Sequence, residues 1–412
     1  MHLTETEERM VNGELGPSLK KAIDILVAIG EIYDAPKLID VKSVHISGIS
    51  YRSAGETALR LAEEFACSGN KFVVPTSSNI LCVDSIQGRE LGFPANFVHN
   101  QNRILKVYED MGIIPTHTCA PYYSGCVPLC REHIAWAESS SLIFANSVLG
   151  AWTNRESNPT TISSALTGKT PLYGYHIKEN RTGSLLVEVA CDIKESSGYS
   201  ALGFCVGSKV GSHVPVFEFK KSIPNTDNLK SLGASLATSG DVGLFHVVGV
   251  TPEAPDQETA FQGHKPSEKL YVDQNDLKKV FEQFCKDGNG KIDHVMIGCP
   301  HASLAELKEV ADLLESKKVN TNVNVWICTS YAVKCVADRM RIVERIEKSG
   351  AHVLADTCTV AAPTNLMGCK NMATNSIKTA KYGSEKNDMN VFAGSLKQVI
   401  RSAIEGQWSE AP

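Results

Sequence analysis

The alternation of apolar and polar residues divides the chain into helical and strand-like stretches. Apolar residues recur every three or four positions over Glu5–Val11 and Ser18–Tyr33, which is the spacing of a helix with one buried face. A strand is predicted at Val41–Ile46, followed by a glycine-containing turn, Ser47–Gly55, and a helix at Glu56–Cys67. This alternation of strand and helix is typical of α/β proteins.

The middle and the end of the chain give further predictions. A strand is predicted at Lys71–Pro75 and a helix at Asn100–Met111. The mixture of apolar and small residues at 135–150 predicts a buried helix, and Leu185–Cys191 has the composition of a strand. A last helix is predicted at Val391–Ile404.

The clearest pattern lies in the last third of the chain. Apolar runs at Ile292–Ile297, Val323–Ile327 and Ala351–Ala355 predict strands. The stretches between them, Ser303–Ser316 and Val333–Ser349, predict helices. This βαβαβ order predicts a parallel sheet with right-handed crossovers.

Composition and charge exclude several classes of protein. The 412 residues, of which 42% are hydrophobic and 21% charged, predict a folded chain of two or three lobes. The formal charge of −5 includes no basic run, so we expect no nucleic-acid partner. The polar start, MHLTETEERM, is not a secretory signal, and no apolar run is long enough to cross a bilayer. We therefore expect a cytoplasmic protein without membrane contact.

The thirteen cysteines need an explanation other than disulfides, because a cytoplasmic chain of this length does not need disulfides. Cys299, Cys328 and Cys358 each follow a predicted strand of one parallel sheet, at the edge where such sheets bind ligands. Cys119, in a short loop flanked by prolines, is a fourth candidate. Thiolates hold iron–sulfur clusters, but buried cysteines also serve as small core residues. Spacing alone leaves both interpretations open.

Longer motifs point to a known family. Seven stretches are distributed over most of the length of the chain: HISGISYRSAGE (45–56), VPTSSN (74–79), PTHTCAPY (115–122), EHIAWAESSSLIFANSVLGAWTNRE (132–156), IGCPH (297–301), ADTCTVAAP (355–363) and TNSIKTAKY (374–382). In identity and order they resemble the aconitase X family. The resemblance implies an aconitase-like α/β architecture of several lobes with parallel sheets, lacking the swivel domain. We expect an N-terminal helical segment at 1–40, α/β lobes with substrate loops at 41–280, and a C-terminal βαβαβ lobe with two cluster cysteines at 281–412.

The resemblance also implies a set of site residues. An iron–sulfur cluster, [4Fe-4S] with one open iron, would be held by Cys119, Cys299 and Cys358, and Cys328 would be structural. The implied substrate-binding residues form four groups: Ser53, Ala54 and Gly55; Ser78 and Asn79; Glu138, Ser139 and Ser140; Asn375 and Ser376. A glycine turn before a helix presents N–H groups to anions, and Ser and Asn bind hydroxyls and carboxylates.

Three charged side chains and one substitution affect what the implied site can do. Glu138 would handle protons if burial raises its pKa. Arg52 and Lys378 either pair with an anionic substrate or lie solvated on the surface. Trp152 stands where the family has an arginine, so a role that needs a cation there is in doubt.

The implied activity is that of a dehydratase whose open iron acts as a Lewis acid. We expect loss of water from (R)-5-phosphomevalonate to give trans-anhydromevalonate 5-phosphate, in a modified mevalonate route to isoprenoids. Because the chain ends at Pro412 soon after its last predicted helix, we expect a small separate subunit to supply the swivel domain and the main base. One alternative is a cis-3-hydroxy-L-proline dehydratase of the same family. Another, of a different class, is a non-catalytic iron–sulfur or scaffold protein that binds the small subunit.

Overall fold

The computed structural model describes residues 1–84, 86–88, 90–211, 213–285 and 290–409. Within these residues the strands form three parallel sheets and one antiparallel pair. Helices pack against the parallel sheets, as βα alternation requires. The predicted α/β class is therefore confirmed.

The first part of the chain combines a pair of N-terminal helices with a three-stranded sheet. Its elements are α1 (Glu5–Val11), α2 (Pro17–Ile32), β1 (Leu38–Asp40), β2 (Val44–Ile46), α3 (Tyr51–Ala66), β3 (Thr76–Ser78), α4 (Ala95–Met111), β4 (Ala135–Trp136), α5 (Ser139–Phe144), α6 (Asn158–Thr167) and β5 (Lys169–Pro171). Strands β3, β2 and β4 lie side by side in that order and run parallel. Strand β1 pairs with β5 in the antiparallel sense.

The second part is a four-stranded parallel sheet with helices. It contains β6 (Leu185–Val189), α7 (Ser196–Val210), β7 (Pro215–Phe219), α8 (Thr226–Gly240), β8 (His246–Val247), α9 (Gln257–Ala260), β9 (Glu268–Val272) and α10 (Gln274–Gln283), with strand order β8-β7-β6-β9. Helices α7 and α8 approach closely at Gly203, where a Cβ atom would lie 2.3 Å from the carbonyl oxygen of Leu232. Only glycine permits that contact.

The third part is a five-stranded parallel sheet. It contains β10 (His294–Ile297), α11 (Leu304–Leu313), β11 (Asn324–Thr329), α12 (Tyr331–Arg339), α13 (Ile342–Lys348), β12 (His352–Ala355), β13 (Asn371–Thr374), α14 (Ile377–Lys386), β14 (Asn390–Ala393) and α15 (Leu396–Glu405). The strand order is β12-β11-β10-β13-β14. The predicted βαβαβ unit is thus confirmed.

Backbone hydrogen bonds join the five-stranded sheet to the three-stranded sheet. Leu81, shortly after β3, donates its N–H to the carbonyl oxygen of Asp356 at 2.9 Å. Its own carbonyl accepts from the N–H of Cys358 at 3.0 Å. Asp84 adds a side-chain bond to the N–H of Ala355 at 3.1 Å. The segments that follow β3 and β12 therefore lie against each other.

Two predicted elements are wrong in type. Lys71–Pro75 is not a strand; Val73 is 63% exposed, and pairing with β2 begins only at Thr76. The predicted helix Val391–Ile404 is split into strand β14 and helix α15. Ser395 starts α15 with a capping box, which ends the preceding strand.

Other predicted elements are right in type but differ in extent. The helix predicted at Val333–Ser349 is divided into α12 and α13 by Arg341, whose backbone is left-handed with φ 57°. The buried helix predicted at 135–150 is strand β4, helix α5 and a π-helical turn at Ala145–Leu149. Cys328 lies inside β11 rather than beyond its end.

No helix in the described ranges is both long enough and apolar enough to cross a bilayer.

Candidate functional site

Three cysteines from distant segments line one cavity of about 200 Å³. Cys299 comes two residues after β10, and Cys358 comes three residues after β12. Cys119 precedes a short 3₁₀ helix, Pro121–Ser124, in the first part of the chain. Parallel strands place their carboxyl ends at one edge of the sheet, and this brings Cys299 and Cys358 together.

Peptide N–H groups point at two of these sulfur atoms. The N–H of His301 donates to Cys119 Sγ at 3.3 Å. The N–H groups of Val360 and Ala361 donate to Cys358 Sγ at 3.2 and 3.1 Å. Donors of this kind stabilise a thiolate, so the loops are built for sulfur that carries negative charge.

His301 braces the loops that carry the cysteines. Its Nε2 donates to the carbonyl oxygen of Thr357 at 3.0 Å, so its Nδ1 accepts from the hydroxyl of Thr118 at 2.9 Å. Burial lowers the pKa of His301 to about 4, which keeps the ring neutral. The side chain thus connects the neighbours of two cysteines. The sequence shows only its place beside Cys299.

The thiols need a positive partner to ionise together. Burial, with the charges of Glu138 and Cys299, raises the pKa of Cys119 well above its ordinary value. Burial and the charge of Cys299 together raise the pKa of Cys358 to about 12. Iron would supply the missing positive charge. Among the described residues, no three His, Cys, Asp or Glu side chains converge as a single ion requires.

A buried ion pair forms another wall of the cavity. Glu138 caps α5, accepting from the N–H of Ser141 at 2.9 Å. Lys378, at the start of α14, donates to Glu138 Oε1 at 2.8 Å and to the hydroxyls of Ser139 and Ser140 at 3.3 and 2.6 Å. Lysine and carboxylate are both almost fully buried. The four side chains form one connected polar group.

The pair keeps Glu138 ionised. Burial by itself raises the pKa of Glu138, but the charge and hydrogen bond of Lys378 and the Ser141 N–H lower it more, so the net shift is downward. Burial by itself lowers the pKa of Lys378, whereas the charge of Glu138 raises it above its ordinary range. The condition stated for proton handling by Glu138, a pKa raised by burial, is not met, because its neighbours outweigh burial.

Six of the ten predicted substrate residues line one of two adjoining cavities. Ser53, Asn79, Glu138 and Ser139 line the cavity beside the three thiols. Asn375 and Ser376 line an adjoining cavity of about 190 Å³, which shares Gly298 and Cys299 with the first.

The remaining predicted residues lie behind or beside the cavity. Ser78 is buried, and its hydroxyl bonds to Nδ1 and the N–H of His117 at 2.9 and 3.0 Å. Ser140 is buried against Lys378. Ala54 and Gly55 lie in α3, where Gly55 interrupts the helix with φ 60° and ψ −163°. The turn predicted over Ser47–Gly55 is therefore shorter than expected, since the helix begins at Tyr51 and Gly55 forms a kink within it.

The cation at Arg52 and the substitution at Trp152 have structural explanations. Arg52 is not a freely solvated cation, because it bonds to Ala362, Asn365 and Asn387. The guanidinium of buried Arg181 lies 5.3 Å from the Trp152 ring centre, so positive charge stands beside position 152.

Cys328 packs in the core against residues of neighbouring strands. It belongs to the same apolar cluster as Met296, Trp326 and Leu354. It is fully buried and does not line the cavity.

Comparison with known proteins gives consistent relationships. Family models described as the first, second and third domains of aconitase X match residues 1–179, 183–282 and 292–405. The phosphomevalonate dehydratase large subunit of Methanocaldococcus jannaschii is 40% identical over 97% of this chain and 100% of its own length. The cis-3-hydroxy-L-proline dehydratase of Hypocrea jecorina is 34% identical over 98% of this chain and 69% of its own length.

The fold is also found in a solved structure. The crystal structure of Thermococcus kodakaraensis aconitase X in its holo-form has a TM-score of 0.90. It is 39% identical, and the match covers 98% of this chain and 100% of that one. With family models covering most of its length, this chain belongs to the aconitase X family.

Proposed function

We propose that this chain is the catalytic large subunit of a cytoplasmic dehydratase that removes water from (R)-5-phosphomevalonate. The product would be trans-anhydromevalonate 5-phosphate. The observation that carries the proposal is one cavity that combines three thiols from distant segments with a buried carboxylate–lysine pair. No disulfide joins any two of the thirteen cysteines, all of which lie among the described residues, and this suits a reducing compartment.

The substrate is proposed from the relationships reported above. The phosphomevalonate dehydratase large subunit matches this chain from end to end, whereas the hydroxyproline dehydratase is less similar and extends well beyond the match. A relative described as a large subunit implies a small one. We therefore place the swivel domain and the base that removes the proton on a small partner subunit.

An iron–sulfur cluster is the proposed cofactor, held by Cys119, Cys299 and Cys358. When bound through three thiolates, it supplies one iron without a protein ligand, which has Lewis-acid character toward a leaving hydroxyl. Support for this set comes from the three thiols that line one cavity and from the N–H groups that point at two of them.

The residues of the chain would bind and orient the substrate. Glu138, held as a carboxylate by Lys378, would accept a hydrogen bond from a substrate hydroxyl. Ser53, Asn79 and Ser139 offer hydrogen bonds to the carboxylate and hydroxyl groups. Enclosure of these groups limits bulk water and so strengthens each polar contact.

An anaerobic dehydration assay tests the proposal. The chain would be assayed with and without its small subunit on (R)-5-phosphomevalonate and on cis-3-hydroxy-L-proline, with iron content measured on the same samples. We expect partner-dependent turnover of the phosphate substrate only. Cys119→Ala, Cys299→Ala and Cys358→Ala should each lose iron and activity.

Cys328→Ala is the matched control, because this cysteine is buried near the site but does not line the cavity. It should keep both iron and activity. Turnover of hydroxyproline instead would retain the dehydratase and change its substrate. Iron binding with turnover of neither substrate would favour a non-catalytic role.

A further inference from the structure

One face of helix α14 forms a continuous wall of the cavity. Lys378, Tyr382 and Lys386 all line it, and their spacing of four residues places them in a row. With a rise of about 1.5 Å per residue, the backbones of the two lysines are about 12 Å apart along the helix. The row therefore runs from the buried end of the cavity to its mouth.

The two lysines differ in what their ammonium groups can still bind. Lys378 is buried, and its three N–H bonds are directed at Glu138, Ser139 and Ser140. An ammonium has only three donors, so Lys378 has none left for a ligand. Lys386 is exposed, and within the described ranges it forms no ion pair with a carboxylate.

Tyr382 holds the ammonium of Lys386 beside the mouth. The Lys386 Nζ lies 4.6 Å from the centre of the Tyr382 ring. A cation–π contact restrains the side chain without neutralising its charge. The ammonium thus remains available to an anion that enters the cavity.

A second cation lies next to this position. Arg52 donates to Asn387 Oδ1 at 2.8 Å, one residue after Lys386. Its other partners are a carbonyl oxygen and the amide of Asn365, both of which are neutral. Arg52 itself does not line the cavity, but it lies beside the residue that follows Lys386, and Ser53 lines the cavity. Neither cation has a carboxylate ion-pair partner among the described residues.

We propose that Lys386 determines specificity by binding the phosphate of the substrate at the mouth of the cavity, with Arg52 reinforcing the positive potential. This inference rests on the proposed function and adds to it the position of the substrate phosphate. The reacting end would then lie among the three thiols and the Glu138–Lys378 pair. A phosphate monoester carries about −1.5 to −2 charges near pH 7 and is attracted by both cations. The cationic ring nitrogen of a hydroxyproline is not attracted by these two cations.

Steady-state kinetics of the complete two-subunit enzyme test the assignment. Lys386→Gln should raise KM for (R)-5-phosphomevalonate by about tenfold, with little change in kcat, because it removes one charge-assisted contact made in ground and transition state alike. Lys386→Arg should retain most of the affinity. Added salt should raise KM less in Lys386→Gln than in the wild type. Lys279→Gln, which removes an exposed lysine from α10 far from the cavity lining, should match the wild type.

Binding of inorganic phosphate, followed by phosphorus NMR, separates this inference from the proposed function. If the wild type turns over phosphomevalonate and Lys386→Gln leaves KM unchanged, the phosphate position is wrong and the function stands. If the wild type does not turn it over, the function is wrong, and the phosphate titration decides the inference. Weaker phosphate binding in Lys386→Gln than in Lys279→Gln would support the position, and equal binding would overturn it.

Discussion

Replacing Lys378 by methionine tests whether the cavity is organised around a buried ion pair. The side chains of Glu138 and Lys378 are 11% and 9% exposed, and their charged atoms lie 2.8 Å apart. Methionine preserves much of the volume of lysine but removes its charge and its three donors. Glu138 would lose its cation, and Ser139 and Ser140 would lose their shared donor. We expect the variant to be less stable and to lose activity.

The size of the effect follows from the geometry. At 2.8 Å and an effective dielectric constant of about 20, two unit charges attract by about 6 kcal/mol. Desolvation of both ions offsets most of that attraction, so the pair as a whole adds little stability. Removing one partner leaves a buried, unpaired charge, which typically costs about 3–5 kcal/mol. We expect the free energy of unfolding to fall by about 3 kcal/mol, because Glu138 recovers part of the loss by taking up a proton.

Urea unfolding of the iron-free chain measures this loss without relying on activity. Wild type, Lys378→Met, Glu138→Gln and the double variant form a double-mutant cycle, and we expect a coupling energy of about 2–4 kcal/mol. The double variant should be more stable than Lys378→Met, because it leaves no carboxylate buried without a cation. A coupling below about 0.5 kcal/mol would show that the pair is not what holds these groups together.

The pH dependence of the loss has a definite sign. The pKa of Glu138 in the folded chain lies below its ordinary value of 4.5, so its contribution to stability is present above that value. The contribution disappears as the pH falls through the folded pKa. In Lys378→Met the burial of Glu138 is no longer offset by a cation, so its pKa lies above the ordinary value and the variant gains stability by protonation. The stability difference between wild type and Lys378→Met should therefore be largest at alkaline pH and should shrink steadily as the pH falls through the raised pKa of the variant and then through the lowered pKa of the wild type. A difference that grows on acidification would contradict the assignment of charges.

Three further substitutions have defined outcomes. Gly55→Ala should lower the free energy of unfolding by about 1–3 kcal/mol and raise KM, because φ 60° with ψ −163° is essentially restricted to glycine. Chemical denaturation measures the first effect and steady-state kinetics the second. His301→Ala should reduce iron retention without removing a cluster ligand, because it cuts the brace between the cysteine loops; iron analysis during anaerobic dialysis against a chelator follows the loss. Arg181→Met should lower stability by about 3 kcal/mol or more, since Glu253 would lose its buried partner; restoration by Glu253→Gln in the same chain would confirm the cause.

The fold was largely predictable because its strands and helices have distinct periods. The apolar runs at the last three predicted strands were bounded by glycine or polar residues, and they became β10, β11 and β12. The prediction of a helix at Val391–Ile404 was wrong because the three apolar residues of strand β14 merge with the helical pattern that follows them. Gly394 and Ser395 between them were the available signal. The break at Arg341 has no such signal, because neither glycine nor proline marks it.

The site was less predictable, because its chemistry depends on contacts between distant segments. The positions of cysteines after predicted strands suggested that they are ligands, but nothing in the spacing distinguished Cys328 from Cys358. The structure distinguishes them, because Cys328 lies within β11. The pKa of Glu138 depends on Lys378, which is 240 residues away and invisible to a local pattern. The ligand set, the substrate residues and the division of the chain at residues 40 and 280 stay predictions.

The short bridge between the segments after β3 and β12 limits how the enzyme can move. Its two main-chain bonds tie Leu81 to both Asp356 and Cys358, and they do not depend on any side chain that a substitution could remove. A hinge between the two sheets would have to break both of these bonds and the one from Asp84. These bonds oppose a hinge motion between the two sheets, and Cys358, a proposed cluster ligand, lies at the seam. Admission of substrate and release of product must depend on a part that is not bound at this seam.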